Sequence, residues 1–259
     1  MKRVKYEKNP IYEAILQIKY PPILAINAKD PVEFQERIRK EFPNYQLEVS
    51  NEQELTLSSV GNNTIPSISQ KRQTKNYMFI SKDGNHKINL TQNFISISTR
   101  KYNLWEDLFG LFVPVLKAFV DIYSPSFFSR IGLRYTDVFS REKLNLTEYN
   151  WKDLINPPYS GAYAITAEEK VINNVSDFIW YLDDEKSVIR VRTGLAKINP
   201  NGSNVFVIDS DFSHSGSIEV EQYESITNYL HNEAGKFIST TMSSVLMEAM
   251  NPEEIGEYE

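Results

Sequence analysis

The chain has 259 residues, 28 basic and 34 acidic side chains, a formal net charge of −6, a pI near 5.3 and no cysteine. Without thiols it has no disulfide, thiolate metal site or cysteine nucleophile. The interspersed, net acidic charge argues against a broad phosphate-binding surface.

This length suffices for one large or two modest domains with a substantial core. Residues 1–6 are too polar for a secretory leader, because no apolar stretch follows Lys2, Arg3 and Lys5. The longest apolar run, 108–120, is broken by Gly110, Pro114 and Lys117 and is shorter than a bilayer span. A cytoplasmic protein without a membrane segment is the expectation.

In chain order, residues 11–20 alternate as a strand, closed by Pro21 and Pro22. Asp30-Pro31 marks a helix start, and Val32, Phe34, Ile38 and Phe42 follow at helical spacing. The period then falls to two. Strands are predicted over 46–59, 70–82, 86–92 and 94–100, with Asp83-Gly84 as a hairpin turn. Residues 105–123 carry a wide apolar arc, so this helix should lie buried across a sheet.

The second half repeats that order. A strand is predicted over 129–139 and a short helix or turn over 146–155, with Thr147 as a cap. Strands follow over 161–173, 176–183, 187–197 and 204–213, then a long amphipathic helix over 221–250. The expected fold is α+β, with two similar halves, 1–125 and 126–252, packed as one unit. Each is an antiparallel sheet with a short and a long helix, like helix-grip and TATA-binding-protein-like arrangements. The acidic segment 253–259 reads as a solvated tail or, less simply, a docking peptide.

Several stretches together resemble a sporadically distributed prokaryotic family of about this length that has no settled biochemical function. They are Asn9-Pro10-Ile11-Tyr12-Glu13-Ala14 with the strand after it, Arg130-Ile131-Gly132-Leu133-Arg134-Tyr135, Ile208-Asp209-Ser210-Asp211-Phe212, and Leu230-His231 with Phe237. Where that family's central motif continues with an asparagine, this chain has Thr136-Asp137. The resemblance implies an association with antiviral-defence or toxin–antitoxin loci, and so a protein partner encoded nearby.

The residues offer several incomplete sites. Arg130 and Arg134, beside Tyr135, suit either an anion- or partner-binding face or salt bridges to Asp137, Asp209 or Asp211. Arg190 and Arg192 pose the same choice. Asp209 and Asp211, two apart on a strand, suit acid–base work, a divalent metal or arginine partners. His231 on the last helix has no nucleophile elbow to serve, and no glycine-rich phosphate loop occurs. Lys71, Arg72, Lys75, Tyr77 and Phe79 suit either a base-stacking platform or ordinary sheet positions. No catalytic set, metal site or cofactor site is complete.

A non-catalytic binding or sensor module is therefore the leading expectation, recognising a partner protein or ligand. The alternatives are an enzyme acting on phosphodiesters or nucleotides through Arg190, Arg192, Asp209 and Asp211, and a pocket for an apolar ligand between the long helix and the sheet.

Overall fold

The structure is a computed structural model that describes residues 2–60, 63–197 and 202–258, with side chains described outside 51–72. The first half comprises β1 (Lys2–Tyr6), β2 (Ile11–Lys19), α1 (Leu24–Ala28), α2 (Val32–Ile38), β3 (Asn44–Val60), β4 (Asn63–Ile80), β5 (His86–Leu90), β6 (Phe94–Thr99) and α3 (Trp105–Tyr123). The second comprises β7 (Phe128–Phe139), α4 (Arg141–Leu144), α5 (Trp151–Leu154), β8 (Val175–Tyr181), β9 (Ser187–Lys197), β10 (Asn204–Ile218), α6 (Tyr223–Thr241), α7 (Ser244–Ala249) and β11 (Pro252–Glu257).

Nine strands form one antiparallel sheet in the order β3-β4-β5-β6-β2-β7-β10-β9-β8. The α+β expectation holds, and the sheet runs without a break from the first half into the second across β2 and β7. In that seam Leu16 faces Leu133 and Ile18 faces Ile131, all fully buried. Period-two alternation sends one side chain in two toward the helices. Tyr77, Phe79, Ile88, Ile97, Leu133, Phe212 and Ile189 accordingly have 0% exposure on β4, β5, β6, β7, β10 and β9. α3 covers this face with Leu108, Phe112, Leu116 and Phe119, and α6 with Leu230, Ala234 and Phe237.

Several elements depart from the sequence reading. Residues 161–173 carry two short 3-10 turns, Gly161–Ala164 and Glu168–Lys170, in place of a strand. Gly161 has φ near +58°, and Asn174 ties the segment down by accepting from the Ala162 N–H and donating to the Ser160 carbonyl. The final helix stops at Thr241 and restarts at Ser244, where Ser243 caps the Leu246 N–H. The region 146–155 yields α5 alone, capped by Asn150 instead of Thr147, while α4 precedes it behind Ser140.

The acidic segment is no free tail. β11 pairs antiparallel with β1, and Lys2 bonds Glu254 at 2.7 Å. Among the described residues no helix is long and apolar enough to cross a membrane.

Candidate functional site

On the sheet face away from α3 and α6, the predicted arginines and aspartates form a ladder across four strands. Arg130 Nη2 lies 2.8 Å from each oxygen of Asp211. Arg134 donates through Nε and Nη2 to Asp209 at 2.6 and 2.8 Å. Arg190 grips Asp177 of β8 at 2.9 and 2.5 Å, and Arg192 Nε stands 3.5 Å from the same carboxylate.

Register explains the lacing. Asp211 sits opposite both Arg134 and Arg190, yet Arg130 reaches it diagonally from a position opposite Ser215. The Arg130 guanidinium lies over Gly132, where an added Cβ would stand 2.0 Å from Nη1 and push this side chain aside. Exposed pairs of this kind add little to stability, because water and salt screen them. The anion-site choice for Arg130, Arg134, Arg190 and Arg192 is thus answered by carboxylates on neighbouring strands. Asp211 and Asp209 are the acceptors for Arg130 and Arg134, and Asp177 for Arg190 and Arg192; among the described residues no group of three or more His, Asp or Glu could hold a metal ion.

The base-stacking candidates and one further cluster resolve as packing. Tyr77 and Phe79 are fully buried, so neither offers a ring to a base; the Lys71 and Arg72 side chains lie outside the described residues. His214, on β10, gathers Ser187 and Asp184, the residue types of a hydrolytic triad. Both partners approach the same ring nitrogen, Nδ1, at 2.9 and 3.6 Å, which leaves no relay through the imidazole. Ser187 is also fully buried, and the cluster closes the β8–β9 turn.

The opposite face contains a cavity of ≈100 Å³ between the sheet, α6, the start of α3 and the β1–β11 pair. β7 contributes Tyr135 and Asp137, two apart and therefore on one side of the strand; β10 contributes Ser210, opposite Tyr135. His231 of α6 stacks on Trp105 with ring centres 4.6 Å apart and planes at 10°, and its Nδ1 shares a 3.2 Å hydrogen bond with the Tyr135 hydroxyl. Trp105 Nε1 in turn donates to Asn228 at 3.1 Å. Tyr102 meets Tyr135 edge-on at 5.6 Å. Tyr258, just past β11, closes the far side by laying its phenol against Gly235, at a point that any β-carbon would occupy.

Two polar groups of this lining stand out. Asp137 is 3% exposed and has no hydrogen-bond or ion-pair partner among the described residues, and His231 Nε2 is buried without a hydrogen-bond partner. Of the two basic side chains in the lining, Arg3 and Lys5, Arg3 is engaged by Glu106 through two bonds of 2.7 and 3.1 Å. Burial raises the Asp137 carboxyl to about 7, with a smaller push from the Asp209 charge. Burial also lowers His231 to about 4, helped by Arg3 and opposed by Glu106. Burial pushes the phenols of Tyr102, Tyr135 and Tyr258 upward. Near neutral pH the cavity therefore presents a neutral imidazole, neutral phenols and one carboxyl poised between its two forms.

Of the sequence candidates, Tyr135 and His231 meet here, while the arginines, Asp209 and Asp211 stand on the other side of the sheet. Asp137 was grouped by the sequence reading with Arg130 and Arg134; its odd position instead shares the face of Ile131, Leu133 and Tyr135. Strand parity alone carried that signal. The chain matches no protein-family model and none of the curated proteins compared with it.

Proposed function

We propose that this chain is a non-catalytic binding or sensor module whose ligand enters the cavity beneath the β1–β11 pair. The observation that carries this reading is Asp137, a buried carboxyl with no protein partner facing a lined cavity. Burying such a group without a partner costs several kcal/mol, and ligand contacts would offset that cost. The setting, an accessory component of a cytoplasmic prokaryotic defence or toxin–antitoxin system, rests on the family resemblance alone. The phosphodiester alternative loses support because its arginines, Arg190 and Arg192, are engaged by Asp177, and its aspartates, Asp209 and Asp211, by Arg134 and Arg130.

In the same reading the halves 1–125 and 126–252 are one duplicated helix-grip or TATA-binding-protein-like unit. In support, β2 pairs with β6 as β7 pairs with β10, and 19-residue helices, α3 and α6, follow the two sets of strands. Native mass spectrometry of the purified chain tests the ligand. The expected result is an adduct that leaves on denaturation and is reduced in Asp137→Ala; a bare mass, with no thermal shift across a small-molecule library, counts against the reading.

A second observation favours the protein partner. β8 is one of the two outer strands of the sheet, and Val175, Ile179 and Tyr181 are 70%, 63% and 70% exposed on it. An apolar edge strand of this kind accepts an extended segment as an additional strand. Ile179→Lys is expected to abolish complex formation with a protein encoded nearby, leaving the circular dichroism spectrum unchanged. In the wild-type complex the outward β8 amides should gain protection from hydrogen exchange. Survival of the complex in the variant would remove β8 as the docking edge.

A further inference from the structure

From the chemistry of the cavity lining, and resting on the reading of that cavity as a ligand site, we infer that the ligand is a small organic cation carrying a primary ammonium group, seated against Asp137 among aromatic rings. Three observations converge on this class. The interior holds a single carboxylate, Asp137, and no protein cation reaches it. The walls around it include the rings of Tyr6, Tyr102, Tyr135 and Tyr258, and aromatic rings attract a cation at close range. The cavity volume of ≈100 Å³ matches a few heavy atoms.

The charges facing Asp137 from the surrounding elements decide the pH behaviour. β1 brings Arg3 and Lys5, and Arg3 is bonded to Glu106. Asp209 acts from the far side of the sheet, and His231 of α6 is neutral above about 4. Tyr6, Tyr102, Tyr135 and Tyr258 stay protonated, because burial raises each of them. Asp137 is thus the one lining group that titrates between pH 6 and 8. A cation binds its ionised form, so affinity should rise with pH up to about 7 and level off above it. A neutral ligand that accepts a hydrogen bond from the protonated acid would show the reverse.

The test is titration calorimetry and NMR of the full chain with n-butylammonium, n-butanol and butyrate at pH 6, 7 and 8. n-Butylammonium is expected to bind at least about tenfold tighter than the other two at pH 8, and to weaken several-fold at pH 6. Asp137→Asn, nearly isosteric, should remove both the preference and the pH dependence while its NMR spectrum stays folded. If n-butanol or butyrate binds as tightly as n-butylammonium, the ammonium class is wrong and the cavity reading survives. Preference retained in Asp137→Asn overturns the placement. If none of the three binds and the isolated protein retains no small molecule, the proposal and the cavity reading fall together.

Discussion

Replacing Asp137 with asparagine is expected to give the chain a stability that rises between pH 4 and 6.5, while replacing His231 with phenylalanine gives one that falls between pH 4 and 7. The two buried groups titrate in opposite senses. The Asp137 carboxyl is raised on folding from 3.8 to about 7, so the stability tied to it is fully present below 3.8 and is lost as pH climbs through about 7. His231 is lowered from 6.5 to about 4, so its contribution is present above 6.5 and is lost as pH falls through about 4. In the shared window folding binds one proton at Asp137 and releases one at His231, and the two slopes cancel.

Each slope is about 1.4 kcal/mol per pH unit, so either variant should differ from the wild type by roughly 3–4 kcal/mol across its window. Urea unfolding followed by tryptophan fluorescence at half-unit pH steps gives the difference curves, in which all other titrations subtract out. Curves that run parallel to the wild type would show that neither carboxyl nor imidazole is perturbed as its burial requires.

Local pattern carried much of the architecture. The helix 105–123 and the strand 187–197 have the bounds that their periodicity predicts, since each buries a regular apolar set against a neighbour. The Arg–Asp ladder was legible as a choice because alternate charges on adjacent strands must meet across the ladder. Long-range pairings were not. β1 and β11 are short, charged strands separated by almost the whole chain, and nothing local in Lys2–Tyr6 marks it as a strand. Without that pair the cavity has no roof, so the sequence offered His231 and Tyr135 as separate residues. Asp137 reads in the sequence as a salt-bridge partner for Arg130 or Arg134, whereas strand parity puts it on the opposite face, in the cavity lining. The 3-10 turn at Gly161–Ala164 depends on Asn174 bonds formed in the folded chain, and the one at Glu168–Lys170 on Glu168 accepting from Arg141 and the Trp151 N–H.

Leu133→Ala is expected to weaken the whole molecule by about 2–5 kcal/mol, the range for emptying a fully enclosed leucine site. Leu133 is fully buried on β7, with Leu16 of β2 on one side and Phe212 of β10 on the other. It therefore stands in the seam through which the halves 1–125 and 126–252 share their hydrogen bonds and core. If the nine strands behave as one cooperative unit, the loss appears in both halves at once. Fluorescence of Trp105 and Trp180, read in single-tryptophan variants, should then report one coincident transition shifted to lower urea. Two separated transitions, with only the Trp180 signal moved, would mean that the halves are held by their own sheets and helices and that the β2–β7 seam adds little. The distinction bears on the cavity as well. Its walls come from β1, α3, β7, β10, α6 and the residue after β11, so a sensor built there requires both halves folded together. A single transition in Leu133→Ala would tie ligand occupancy to the stability of the entire sheet, including the exposed edge at β8.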